Sequence, residues 1–132
     1  MSLTSQSRFR VRYAETDQMG VVYYANYFVW MEVGRTDFCK ESGFNYHDLE
    51  KEEQTFVAVA EAQCRYVAPS RFDDEIVVET RIEKVGRRMM EFSYTIRNQN
   101  GVVAEGRTVH VTIGPDGRPK QLPPKYLEMM KG

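Results

Sequence analysis

Residues Arg8–Tyr13 alternate strictly, with Phe9, Val11 and Tyr13 on one side and Arg8, Arg10 and Arg12 on the other. That is the period of a short, half-buried strand. A different period begins near Asn26 and runs to Ser42. There Tyr27, Phe28, Val29, Trp30, Met31, Val33 and Phe38 surround much of a helical circumference, which predicts one long helix that is buried rather than laid on the surface. Asn26 is the expected N-cap and Gly43 the C′ stop. Gly34, inside the helix, is about 1 kcal/mol worse there than alanine, so close backbone packing is expected at that point. Phe44–Glu53 reads as a connector with room for a helical turn.

The rest reads as strand. In Thr55–Val67 the even positions Phe56, Ala58, Ala60, Ala62, Cys64 and Tyr66 are apolar, against Glu61, Gln63 and Arg65 at odd ones. A row of inward alanines would let a helix lie close. Asp74–Val85 turns Ile76, Val78 and Ile82 inward, and Met89–Arg97 does the same with Met90, Phe92, Tyr94 and Ile96. In Val102–Ile113 the pattern puts Val103, Val109, Val111 and Ile113 on one face and His110 on the less buried one. Turn signals separate these runs at Val85-Gly86-Arg87, Asn98-Gln99-Asn100-Gly101 and Pro115-Asp116-Gly117. The tail Pro123–Gly132 carries Tyr126, Leu127 and Met130 and reads as a short helix or a frayed end. One strand, one buried helix and four more antiparallel strands predict an α+β domain whose sheet curls around the helix.

The chain has 132 residues, enough for one domain over 1–132 that buries its own core without metals or disulfides. A net charge of −1 argues against nonspecific binding to nucleic acid or a membrane surface, which needs a basic excess. No apolar run approaches the length of a membrane span, and Ser2–Arg10 lacks a signal-peptide core. Cys39 and Cys64 fit no metal or redox spacing and are expected to be reduced and buried. A cytoplasmic location follows as the expectation.

The chemistry concentrates in Tyr13–Tyr27. A loop carboxylate, Asp17, stands three residues before Gly20, and an aromatic-rich segment then leads into the helix. A helix start offers unpaired N–H groups and a partial positive charge for a developing oxyanion. A facing carboxylate can act as nucleophile or general base. Asp17-x-x-Gly20-x-Val22-x-Tyr24-x-Asn26-Tyr27, followed by Trp30 in the helix, resembles the signature of the hotdog-fold acyl-CoA thioesterases. The nearest branch is that of 4-hydroxybenzoyl-CoA thioesterase and the Tol–Pal-associated enzymes. The similarity runs from about Phe9 to the Pro115-Asp116-Gly117 turn.

The resemblance implies a hotdog fold, a curled antiparallel sheet of about five strands around one long central helix. It implies hydrolysis of an acyl-CoA to free acid and CoA, in homodimers or dimers of dimers (homotetramers) whose active sites lie at the dimer interface. Asp17 would attack the thioester carbonyl or activate a water, and the Tyr24 backbone N–H would polarise the carbonyl oxygen. Tyr24 stands where members carry His or Tyr, the 4-hydroxybenzoyl-CoA enzyme having the Tyr form. Relative to the Tol–Pal-type members this leaves no imidazole in the motif and places the chemical burden on Asp17. Gly20 and Val22 would shape the turn beside the substrate. Arg87 and Arg88 would approach the CoA phosphates, as guanidinium forks suit phosphate. No metal or redox cofactor is implied.

Blander roles stand beside these: a turn-capping aspartate, a packing tyrosine, a solvated arginine hairpin. Glu15, two residues from Asp17, is not required by the motif. Glu32 on the helix competes as an acid, but Arg35 at i+3 offers it a local ion pair. Two other functions fit a hotdog domain, a non-catalytic acyl-CoA-binding or scaffolding protein and an acyl-thioester dehydratase or hydratase. The missing His weighs against the latter. The acyl group, aromatic or short-to-medium aliphatic, is not legible, nor is CoA against acyl carrier protein.

Overall fold

In the computed structural model, which describes residues 4–43 and 46–131, these periods resolve into five strands and three helices. The strands are β1 (Thr4–Arg10), β2 (Phe56–Tyr66), β3 (Glu75–Val85), β4 (Met89–Asn98) and β5 (Gly101–Ile113). The helices are α1 (Asn26–Glu41), α2 (Tyr46–Glu53) and α3 (Pro124–Lys131). All strand pairs are antiparallel, in the order β1-β3-β4-β5-β2. The sheet curls around α1, which touches β1, β2, β3 and β4. This is the expected α+β hotdog arrangement.

The core lies between helix and sheet. Trp30, Met31 and Phe38 of α1 pack with Ile76, Val78, Met90, Phe92, Tyr94 and Ile96, all of them buried. Each large side chain so buried contributes roughly 1.5–3 kcal/mol. α1 approaches the sheet closely at two glycines. A Cβ on Gly34 would run into the Thr80 side chain and lie 2.9 Å from Val78 Cγ1. A Cβ on Gly106 of β5 would meet Met31, with its sulfur at 2.8 Å.

Several expectations shift. The helix begins at Asn26 with Ala25 as N-cap, and the Asn26 amide donates sideways to the Glu15 carbonyl (2.8 Å) instead of capping. Gly43 does adopt the left-handed C′ conformation, at φ +103°. α1 is not buried all round, since Val29 and Val33 are 49% and 38% exposed along one side. The connector holds a full helix, α2; Phe44 and Asn45 lie outside the described residues, as does Gly132 of the tail.

The alanine row of β2 does not turn inward as a unit: Ala58 pairs with exposed Val111, whereas Ala62 pairs with buried Thr108 on the helix side of the sheet. β2 is an edge strand with one neighbour, β5, and its ladder slips between Val59 and Glu61, which leaves Ala60 and Ala62 exposed. β1 starts earlier and stops sooner than its alternation suggests. Ser5 and Ser7 face inward, with the Ser7 hydroxyl donating to Asp37 Oδ2 of α1 (2.6 Å), while Tyr13 turns out to solvent. In β5 the register passes from Ile96↔Ala104 to Arg97↔Val102, so Val103 is an inserted residue. A one-residue bulge exchanges the faces of everything beyond it. Thr108, His110 and Thr112 are therefore buried, and Val111 is exposed.

Candidate active site

The chain leaves β1 through Val11, whose N–H and C=O pair with Asp74 and Asp73 (3.0 Å each). It then makes a 3₁₀ turn over Tyr13–Glu15 and a tight loop over residues 16–22. Asp17 opens that loop. Its N–H donates to the Val21 carbonyl (2.9 Å), and its carbonyl accepts the Gly20 N–H (2.9 Å). Gly20 holds φ +79°, which glycine adopts without strain. The Asp17 Oδ1 accepts the Met19 N–H (2.9 Å), and its Oδ2 meets no partner among the described residues. Val22 is buried and hands its N–H to the Ser70 carbonyl (2.8 Å), which anchors the loop to the segment after β2.

The helix is entered through short i→i+3 bonds. Asn26 donates to the Tyr23 carbonyl at 3.0 Å, Tyr27 to Tyr24 at 3.3 Å and Phe28 to Ala25 at 3.2 Å. The N–H groups of Tyr24 and Ala25 stand ahead of these bonds and find no acceptor among the described residues. Tyr66 of β2 donates its hydroxyl to the Tyr24 carbonyl (2.9 Å), pinning this turn from the opposite side.

Asp17, Val22 and Tyr24 line one cavity of about 460 Å³, together with Tyr23, Tyr27, Tyr66 and the 67–69 segment. Its rings touch edge to face, Tyr24 with Tyr66 at 6.3 Å and Tyr27 with Tyr66 at 5.2 Å between centroids. Three of the phenols, Tyr23, Tyr27 and Tyr66, are held above their ordinary range. The Tyr24 hydrogen bond raises Tyr23, and burial raises Tyr27 and Tyr66. These three phenols stay protonated at neutral pH and can donate hydrogen bonds. Among the described residues no group of three or more His, Cys, Asp or Glu side chains could hold a metal ion.

Gly20 shapes the loop without lining the cavity. Arg87 and Arg88 are not brought to it within one chain. They sit in the β3–β4 turn, where their carbonyls accept the Leu122 and Thr112 N–H groups. That is the Phe56 end of β2, because Phe56 pairs with Ile113 and Val111 with Met89. Tyr66 and Asp17 are at the other end, ~33 Å away at ~3.3 Å per strand residue. Glu32 lies near Arg35 (3.9 Å), the local pair its spacing suggests.

Sequence reasoning passes over Glu15. The residue is 6% exposed, and its carboxylate accepts the Trp30 indole N–H and the Arg12 N–H, both at 2.8 Å. Its carbonyl accepts the Tyr23 N–H (2.9 Å) as well as the Asn26 amide. Tyr66, by its pattern, is only a strand residue. Neither contact leaves a trace in local spacing, since Trp30 is fifteen residues from Glu15 and Tyr66 forty-two from Tyr24.

Against known proteins, the thioesterase superfamily profile matches residues 19–105. The chain is 44% identical over 110 residues to the putative acyl-CoA thioesterase YneP of Bacillus subtilis, covering 83% of this chain and 79% of that one. It is 32% identical over 124 residues to the acyl-CoA thioester hydrolase YbgC of Escherichia coli O157:H7, covering 92% of each. Its backbone superposes on a DHNA-CoA thioesterase from Staphylococcus aureus with a TM-score of 0.92 at 32% identity, over 97% of this chain and 89% of that one.

Proposed function

This chain belongs to the thioesterase superfamily, and from that premise we propose that it is an acyl-CoA thioester hydrolase with Asp17 as its working carboxylate. One observation carries the assignment of roles. A carboxylate with a free oxygen and an unengaged N–H at a helix start line the same aromatic-walled cavity. The thioester carbonyl lies between them. Asp17 supplies the attacking oxygen, directly or through a water, while the Tyr24 N–H and the α1 dipole hold the charge that develops on the carbonyl oxygen. Attack breaks the C–S bond and CoA leaves as the thiolate. When Asp17 attacks directly, a water then cleaves the resulting anhydride; in either case the water's oxygen ends in the free acid and its proton passes to the thiolate.

A second copy of the chain completes the site. β2 is an open edge, and Val59 and Tyr66 on it and Val67 just beyond it are exposed, as are Val29 and Val33 of α1. An exposed, apolar strand edge invites pairing. A two-fold axis makes that pairing antiparallel, so the Phe56 end of one β2 meets the Tyr66 end of the other. The partner's Arg87 and the partner's Arg88 then come to the end that holds Asp17, where the CoA phosphates would leave the cavity.

The test is thiol release across acyl-CoAs from acetyl to palmitoyl, with benzoyl, 4-hydroxybenzoyl and phenylacetyl included. Wild type should turn over part of the panel, and folded Asp17→Asn should lose about 10²-fold or more in kcat. Equal turnover by the folded variant removes Asp17 from the mechanism.

A further inference from the structure

We infer that Glu15 is the positioning residue of this site, the group that sets the distance between the carboxylate and the oxyanion donor; the inference rests on the roles given above to Asp17 and Tyr24. Those two groups belong to different elements, a loop and a helix start, and nothing covalent nearer than the loop itself fixes their separation. Glu15 bridges both elements with four hydrogen bonds. Its carboxylate takes the Trp30 indole N–H (2.8 Å) from α1 and the Arg12 N–H (2.8 Å) from the end of β1. Its carbonyl takes the Tyr23 N–H (2.9 Å) and the Asn26 amide (2.8 Å), the residues on either side of the Tyr24–Ala25 pair.

The anchor itself is rigid. Trp30 is 1% exposed and wedged between Tyr27 and Phe9, with ring centroids at 4.8 and 5.5 Å. A carboxylate is suited to this place. It offers two acceptor oxygens to two N–H donors, with the Arg12 guanidinium 3.7 Å away. Glutamine keeps only one acceptor and turns an NH₂ toward a donor. The site therefore carries two acids two residues apart, one spent on the frame and one left free to react.

The decisive comparison is wild type, Glu15→Gln, Trp30→Phe and the double variant, measured for kcat, KM and melting temperature. Hydrogen exchange of the 16–25 segment is followed in parallel. A displacement of about 1 Å in a reacting pair lowers turnover by about 10²-fold. We expect each single variant to lose 10- to 100-fold in kcat, on the order of that figure, with KM within about twofold. The double variant should lose less than the product of the two single losses, because both changes weaken the same strut. Exchange across 16–25 should rise in all three.

A fall in melting temperature with kcat preserved would show a merely structural carboxylate and overturn the inference. So would additive losses in the double variant. If wild type hydrolyses no acyl-CoA, the thioesterase reading fails on its own. Exchange then decides the frame, since unchanged protection over 16–25 in Glu15→Gln refutes it without any activity.

Discussion

His110 is 1% exposed beneath α1, with its Nε2 2.8 Å from the Thr108 hydroxyl, which in turn meets the Tyr94 hydroxyl at 2.7 Å. Burial, and secondarily the Arg35 charge, push the imidazole down from 6.5 to about 4. Glu32, Arg35, Tyr46 and Glu50 line the cavity it shares, and Phe92 meets it edge to face at 5.6 Å. In the unfolded chain the imidazole takes its proton near pH 6.5, while in the folded chain it resists until about 4. Between those values the unfolded state binds more protons, so stability falls as pH falls. At about 1.4 kcal/mol per pH unit the gap bounds the loss at about 3 kcal/mol, fully incurred below pH 4. Carboxylates titrate in the same range, so the measurement is a difference. Urea unfolding of wild type and His110→Gln, followed by Trp30 fluorescence at intervals from pH 7 to 4, should give stability curves that diverge below pH 6.5, with the variant the flatter. Parallel curves would refute the buried, neutral imidazole.

Three other perturbations test separate parts of the structure. Gly34→Ala would gain about 1 kcal/mol from helix propensity alone, but contact with Thr80 and Val78 should turn this into a net loss of about 1–3 kcal/mol; a raised melting temperature would contradict the close packing. Arg87→Ala and Arg88→Ala should each raise KM for acyl-CoA several-fold at constant kcat, an effect that salt diminishes; unchanged KM removes them from the phosphates. Val59→Lys should break the β2 pairing, seen as monomer in sedimentation with turnover lost; a wild-type monomer at full activity would rule out the shared site.

The architecture is legible in the sequence because the strongest periods belong to elements buried on one defined face. Met90, Phe92, Tyr94 and Ile96 alternate without interruption, and β4 is the central strand they describe. Errors fall where one residue changes the phase. The extra Val103 sends His110 inward and Val111 outward, and neither residue type announces that exchange. β2 misleads in a different way. Its alanines are apolar, but the strand lies at the edge of the sheet, where Ala60 and Ala62 are exposed. The close approach at Gly34 is legible because glycine weakens a helix interior unless a neighbour takes the space of the missing Cβ. The neighbour is Thr80 on β3, however, and not the alanines of β2.

The same contrast governs the two acids at the head of the site. Glu15 and Asp17 sit in one short stretch with equal claims by composition, and spacing alone does not divide the labour between them. On the roles proposed above, the fold divides it by accounting for lone pairs. Glu15 is buried, and both of its oxygens and its carbonyl are engaged by donors from three segments of chain. Asp17 is half-buried and gives one oxygen to its own turn, with the other unpartnered among the described residues at the wall of an open cavity. A fully satisfied buried carboxylate is expensive to disturb and so suits a fixed strut. A carboxylate with a free lone pair beside an unengaged N–H retains the capacity to react. Exchanging the two tasks would need the loop to turn over, because the Tyr23 and Val22 N–H groups already fix which side of it faces the helix and which faces the cavity.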